Sequence, residues 1–209
     1  MNWSRFVHIV ESLIFPEFCL GCGVKDKILC MKCVAKLEFI NGYEKGKGFY
    51  FDDLRWCLKY NAIFKKLIIH FKYKRCEKLS VFFGNYLKEI YGFKKNSIVI
   101  PVPISRKRLC ERGFNQAKLL ALCFCTFNSG LKFCDYLVRK FDRPKQSLLR
   151  RSLRLNNLEG SIEINGNVNG KNIILIDDVA TTCSTLNECS RILKEAGAKN
   201  ICCVVLARA

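Results

Sequence analysis

The sequence predicts an α/β protein built on a parallel sheet, with a small metal-binding module at its amino-terminal end. Three observations carry this expectation. Short all-apolar runs, Ile173-Ile174-Leu175-Ile176 above all, alternate with segments of helical periodicity. A run of that kind marks a strand covered on both faces. The runs end in polar turns, and alternation of strands and helices with polar groups at strand ends is how a doubly covered sheet is written. Finally, Cys19-x2-Cys22 and Cys30-x2-Cys33 stand seven residues apart, so that two knuckles, each presenting two thiolates, complete a tetrahedral zinc site.

Composition sets the bounds. A chain of 209 residues, half of them hydrophobic, is long enough for one α/β domain and a modest appendage. Thirty-six Lys and Arg against 18 acids give +18, a balance that attracts polyanions. The excess is uneven: 101–160 carries 13 basic and 4 acidic residues, whereas 161–209 carries 5 of each. Solvated lysines account for much of the first hundred residues, but less well for the arginines of the middle block. Fourteen cysteines would suit a disulfide scaffold in a secreted chain. That class is set aside because 6–15 is broken by His8 and Glu11 and no small-residue cleavage site follows. No run reaches the roughly 20 apolar residues of a membrane span. The cysteines therefore read as reduced and cytosolic, four as metal ligands and most others as small hydrophobes.

Along the chain, Trp3, Phe6, Val7, Val10, Leu13 and Ile14 recur at helical spacing up to Pro16. Such a helix packs on the zinc module or docks on a membrane surface. Cys19, Cys22, Cys30 and Cys33 leave no open coordination position, so the site is structural and stabilises a segment with few apolar residues; a redox role is the competing reading. A Gly/Lys/Asn loop at 41–48 marks a boundary, dividing the chain into 1–40 and 41–209. Residues 49–60 read as strand or hairpin, and 63–73 and 79–91 as helices. The basic residues Lys65, Lys66, Lys72, Lys74 and Arg75 of the first form either a nucleic-acid face or the wet side of a helix.

Residues 97–102 are a second buried strand. A turn at 104–108 follows with Ser105, Arg106, Lys107 and Arg108, then Arg112 and Gly113 and a helix over 114–127. Guanidinium forks and backbone N–H groups suit a pyrophosphate and equally the phosphates of a DNA strand. Phe114 among these cations either stacks on a base or packs at the helix start. A third strand spans 133–139, and 148–158 reads as a helix. Residues 165–170 form a polar turn into the strand at 173–176. Asp177 and Asp178 follow at once, then Thr181, Thr182, Ser184 and Thr185, leading into a helix marked by Leu186, Cys189, Ile192 and Leu193. A strand end, a polar turn and a helix start gather free N–H groups and the positive dipole end, which suits a phosphate. The paired acids suit ribose hydroxyls and, through them, magnesium. The bare pattern also fits an ordinary capped loop. The last strand spans 200–206.

Asp177-Asp178-Val179-Ala180-Thr181-Thr182 closely resembles the loop of type I phosphoribosyltransferases that binds 5-phosphoribosyl 1-pyrophosphate (PRPP). The stretches PVPISRKRLCERGFNQA (101–117), RPKQSLLRRSLRLNNLEG (143–160) and VVLARA (204–209) resemble the ComF family of competence proteins. With the amino-terminal cysteines, the resemblance spans nearly the whole chain. It implies a type I phosphoribosyltransferase-like fold with a four-cysteine zinc module, and PRPP with magnesium held by Asp177, Asp178, Ala180, Thr181, Thr182, Cys183, Ser184 and Thr185. By the same similarity the turn with Ser105 and Arg106 is the pyrophosphate loop, and 140–151 a loop that closes over PRPP. It further implies a part in natural transformation, with single-stranded DNA and a helicase-like ATPase as partners, in the cytoplasm or peripherally at the inner face of its membrane. The expected DNA contacts are Arg106, Lys107, Arg108, Arg112, Arg143, Lys145, Arg150 and Arg151. The alternative is an active transferase moving ribose 5-phosphate from PRPP to an acceptor, for which no stretch reads as an acceptor pocket.

The chain departs from the family pattern at Cys183, where T-T-G is usual. Glycine there permits close approach of a phosphate and unusual φ. A thiol at a helix start is expected to be reactive as thiolate; the alternative is a buried, inert side chain.

Overall fold

The computed structural model describes residues 18–25, 28–73, 78–90, 92–139 and 161–209. The expected amino-terminal helix, the helix at 148–158 and the closing loop at 140–151 lie outside them. Strand β1 (Phe39–Lys45) pairs antiparallel with β2 (Asp53–Lys59). Two helices follow, α2 (Ala62–Tyr73) and α3 (Lys78–Leu87), preceded in the chain by the single-turn α1 (Met31–Val34). After β3 (Ile98–Pro101) come α4 (Arg106–Arg112) and α5 (Gln116–Phe127). Strands β4 (Lys132–Phe133), β5 (Leu137–Arg139) and β6 (Ile162–Ile164) are short. The chain closes with β7 (Asn172–Ile176), β8 (Val179–Ala180), α6 (Ser184–Glu195) and β9 (Asn200–Arg208).

The main sheet runs in the order β1-β2-β9-β7-β3-β4, with β8 beside β9; every pairing except β1 with β2 is parallel. Side chains alternate across it. Val99, Ile174, Ile176, Val204 and Leu206 face a core filled by α2, α3 and α5, in which Phe64, Phe71, Phe83 and Phe124 are fully buried. Ile98, Ile100, Ile173, Leu175, Cys203 and Val205 face the other core, closed by Leu186, Cys189 and Leu193 of α6. Burial on both faces is why β7 reads as an unbroken apolar run.

Several elements differ from the sequence expectation. The stretch read as a loop at 41–48 is strand to Lys45, since β1 presents alternating half-buried and exposed positions to solvent on one side. The expected turn at 104–108 is the start of α4, capped by the Ser105 hydroxyl, which accepts from the Arg108 N–H at 3.3 Å. Gly113, at φ 85°, ends α4 in the left-handed region, and the next helix starts at Gln116 rather than at 114. The expected third strand is two: β4 joins the main sheet and β5 pairs antiparallel with β6. No helix among the described residues is long and apolar enough to cross a membrane.

Candidate functional site

β3 and β7 are neighbours, with Pro101 opposite Ile176. Their continuations go to opposite faces: α5 packs in the core with α2 and α3, and α6 packs in the other. Adjacent parallel strands that diverge in this way leave a crevice beyond their carboxyl ends, the usual ligand position in such sheets. Two predicted segments meet there. One is Ser105 to Arg108; the other is Asp177 to Thr185. Val102 N–H donates to Ile176 O at 2.8 Å, so the two exits start side by side.

The acidic turn is tied down from below. Asp177 N–H bonds Val204 O, Leu206 N–H bonds Asp178 O, and Ala209 N–H bonds Ala180 O. The last side-chain anchor is Arg208, whose guanidinium donates to Thr181 O and lies 3.4 Å from Glu44 of β1. Asp177 Oδ1 accepts from Asp178 N–H at 2.8 Å. Burial and the adjacent Asp178 push the Asp177 carboxyl up to about 7, against the pull of that N–H, Lys72 and Arg108. Asp178 is buried and paired with Lys72 Nζ at 2.8 Å. Thr181 and Thr182 are exposed, and the Thr182 hydroxyl lies 2.7 Å from that of Ser184. Ala180 is buried, while Ser184 and Thr185 are half-buried at the start of α6. The turn thus combines carboxylates, hydroxyls and the first N–H groups of a twelve-residue helix.

Cys183 sits at φ 60°, ψ 7°. Left-handed backbone costs a residue bearing a Cβ about 1–2 kcal/mol, which is the physical reason for glycine at this place in related loops. The expected reactive thiolate is not what the structure gives. Cys183 is 4% exposed, and burial raises its thiol, with Arg208 opposing. At a distance of one residue from free N–H groups, desolvation outweighs the dipole.

Arg106, Lys107 and Arg108 are all exposed on α4. Ser105 is buried and used as the cap. Arg112 is not on this surface: it is 7% exposed, donates from Nη1 to Gln116 Oε1 at 2.9 Å, and stacks 5.0 Å from the Tyr73 ring. Its Nε and Gln116 Nε2 are buried without a partner among the described residues. Phe114 is 9% exposed and packs 5.9 Å from Phe71, so its ring belongs to the core and not to a base-stacking platform. Arg143, Lys145, Arg150 and Arg151 lie outside the described residues.

At the other end, the thiols of Cys19, Cys22, Cys30 and Cys33 lie within 4.8 Å of one another. A Cβ on Gly21 would meet Cys33 Sγ at 2.5 Å, so the first knuckle needs glycine to wrap its ligands. Although burial opposes it, backbone N–H groups of Cys30, Cys22 and Gly21 lower the Cys19 thiol to about 6; burial and the neighbouring sulfurs push Cys33 up to about 12. Four crowded sulfurs in this arrangement fit a divalent ion such as zinc. The module is packed on α2: Lys66 Nζ donates to Gly21 O at 2.6 Å and Asn61 Nδ2 to Lys36 O at 3.0 Å.

Sequence reasoning missed Arg208 and Gln116, and it placed Lys72 on a nucleic-acid face or the wet side of its helix, whereas the side chain pairs with Asp178. Lys72 lies four residues after buried Ile68, at the border of the apolar stripe of α2, and that position was the available signal.

Comparison with known proteins agrees with this geometry. Residues 121–209 match the phosphoribosyl transferase domain model. The competence protein ComFC of Bacillus subtilis (strain 168) is 33% identical over 142 residues, covering 66% of this chain and 56% of that protein. The DNA utilization protein YhgH of Escherichia coli O157:H7 is 32% identical over 114 residues, 53% of this chain and 48% of its own. The chain therefore spans about half the length of these two relatives. Competence protein F of Haemophilus influenzae is 26% identical over the full length of both chains. The parallel sheet, whose switch-point crevice joins an acidic, hydroxyl-rich turn to a basic helix, belongs to a phosphoribosyltransferase-type domain, and the chain is similar to competence proteins of the ComF family.

Proposed function

We propose that this protein acts in DNA uptake during natural transformation, holding single-stranded DNA in the cytoplasm on a scaffold that binds PRPP with magnesium. The observation that carries the reading is the crevice, where Asp177 to Thr185 and the exposed Arg106, Lys107 and Arg108 leave neighbouring strand ends. The names of the relatives supply the process.

In this reading the 5-phosphate sits against Thr181, Thr182, Ser184, Thr185 and the first N–H groups of α6, a dipole end with no competing cap from Cys183. Asp177 and Asp178 accept the ribose hydroxyls. The pyrophosphate faces Arg106, where guanidinium forks match its oxygens. Magnesium arrives with PRPP and offsets pyrophosphate charge. Zinc, held by Cys19, Cys22, Cys30 and Cys33, is structural. DNA phosphates engage Arg106, Lys107 and Arg108, together with Arg143, Lys145, Arg150 and Arg151; a helicase-like ATPase takes over the strand.

The test is titration of the purified protein with a labelled oligonucleotide and, separately, with PRPP and magnesium. Single-stranded DNA is expected to bind with little sequence preference and to weaken steeply with salt through counterion release. Replacing Arg106, Lys107 and Arg108 by Ala weakens binding and flattens the salt slope. Absence of binding at low salt, or indifference to the triple change, refutes the DNA role. Pyrophosphate release from PRPP in the presence of an acceptor would turn the reading toward a transferase.

A further inference from the structure

α2 ends in the crevice. Phe64, Leu67, Ile68 and Phe71 fix it in the core, and its last turn delivers two adjacent side chains to the two halves of the site. Tyr73 covers the Arg112 guanidinium behind α4. Lys72, with a side chain only 22% exposed, places Nζ 2.8 Å from Asp178 Oδ2, whose side chain is 7% exposed. The only other hydrogen bond that the described structure gives the acid pair's side chains is from Asp178 N–H to Asp177 Oδ1. Two carboxylates on consecutive residues repel each other. A resident ammonium is what lets the turn keep them side by side and in fixed orientation.

We propose that Lys72 is a positioning residue of this crevice: by holding the Asp178 carboxylate it fixes the 177–178 turn in the geometry that accepts a ribose diol. The inference rests on reading Asp177 and Asp178 as ribose acceptors, and it goes beyond that reading in assigning part of the sugar subsite to the helix that also carries the cysteine module. Lys72 acts through Asp178, on the ribose, and not on the pyrophosphate, which faces α4.

That division supplies the test. Calorimetric titration of the parent protein, Lys72→Met and Lys72→Arg uses three ligands: PRPP with magnesium, ribose 5-phosphate, and pyrophosphate with magnesium. Lys72→Met is expected to lose about tenfold or more in affinity for both ribose ligands, the scale of one charge-assisted hydrogen-bonded pair. Its affinity for pyrophosphate stays within about twofold. Lys72→Arg keeps the cation and retains most of the ribose affinity. Should Lys72→Met leave a buried carboxylate unbalanced and fold poorly, Lys72→Met/Asp178→Asn removes both charges. Asp178→Asn alone and this double variant then bind ribose 5-phosphate equally, because the lysine has nothing left to position. Unchanged ribose binding by Lys72→Met, an equal loss on pyrophosphate, or a further loss in the double variant each overturns the proposal. If the parent protein binds none of the three ligands, the ribose reading of the acid pair fails first, and the role of Lys72 falls with it.

Discussion

Replacing Asp177 by Asn is expected to stabilise the ligand-free protein while abolishing its response to PRPP. The structure gives the sign and the scale. Burial and the neighbouring Asp178 raise the Asp177 carboxyl from 3.8 to about 7, so the fold prefers it protonated. The unfolded chain releases the proton from about pH 4 upward, whereas the folded chain holds it to about pH 7. The fold therefore loses stability as pH rises through that window, and the penalty is complete above it. At about 1.4 kcal/mol per tenfold change in proton affinity, the ceiling is roughly 4 kcal/mol. Water reaches the half-buried side chain, which brings the expected gain for Asp177→Asn at pH 8 to about 1–2 kcal/mol, or several degrees in melting temperature. Asn keeps the size and an acceptor for the Asp178 N–H. Thermal melts at pH 8 and pH 5 check this: the advantage of the variant at pH 5 is expected to be less than half that at pH 8. PRPP with magnesium is expected to raise the melting point of the parent by mass action and to leave the variant unmoved. A variant no more stable than the parent at pH 8, or an advantage independent of pH, refutes the electrostatic account; a variant that still responds to PRPP refutes the ribose role.

Four further outcomes are expected. Elemental analysis finds about one zinc per chain, lost with solubility in Cys19→Ser or Cys33→Ser; full loading of Cys19→Ser/Cys22→Ser excludes the site. Alkylation mapped by mass spectrometry labels exposed Cys110 well before buried Cys183, and Cys183→Gly, which suits φ 60°, tightens PRPP binding by removing a Cβ from the turn. Fast labelling of Cys183 contradicts its burial. Saturating PRPP lowers the salt slope of oligonucleotide binding, because a pyrophosphate on Arg106 leaves fewer cations to release counterions; an unchanged slope means that DNA and PRPP use separate surfaces.

How much of this was legible in the sequence differs by element. β7 was plain because both faces are buried, and the alternation into two cores leaves no polar position along it after Asn172. The four cysteines were plain because metal geometry dictates spacing. β1 was not: its Asn, Gly and Lys residues read as a loop, and only pairing with β2 makes them a strand. The arginines of 106–112 were read as one surface, yet Gly113 and the Tyr73 ring turn Arg112 inward. That contact comes from a residue 39 positions earlier, and no local pattern encodes it. The reactivity expected of Cys183 failed for the same reason. A helix start was visible in the sequence, but the neighbours that exclude water from the thiol were not.

The same distinction separates the loop motif from the site. Asp177 to Thr185 is local and could be read directly, but beyond its own Asp178–Asp177 and Thr182–Ser184 contacts it is held by distant segments. Arg208 grips Thr181 O from the last strand, Glu44 steadies Arg208 from the first, and Lys72 meets Asp178 from α2. Each of these comes from a segment separated in sequence from the motif. A turn carrying two carboxylates, one of them raised to about 7, and a non-glycine residue at φ 60° stores unfavourable energy that these three contacts offset. Arg208 and Lys72 therefore add side-chain anchors to the backbone hydrogen bonds that already tie the turn to β9.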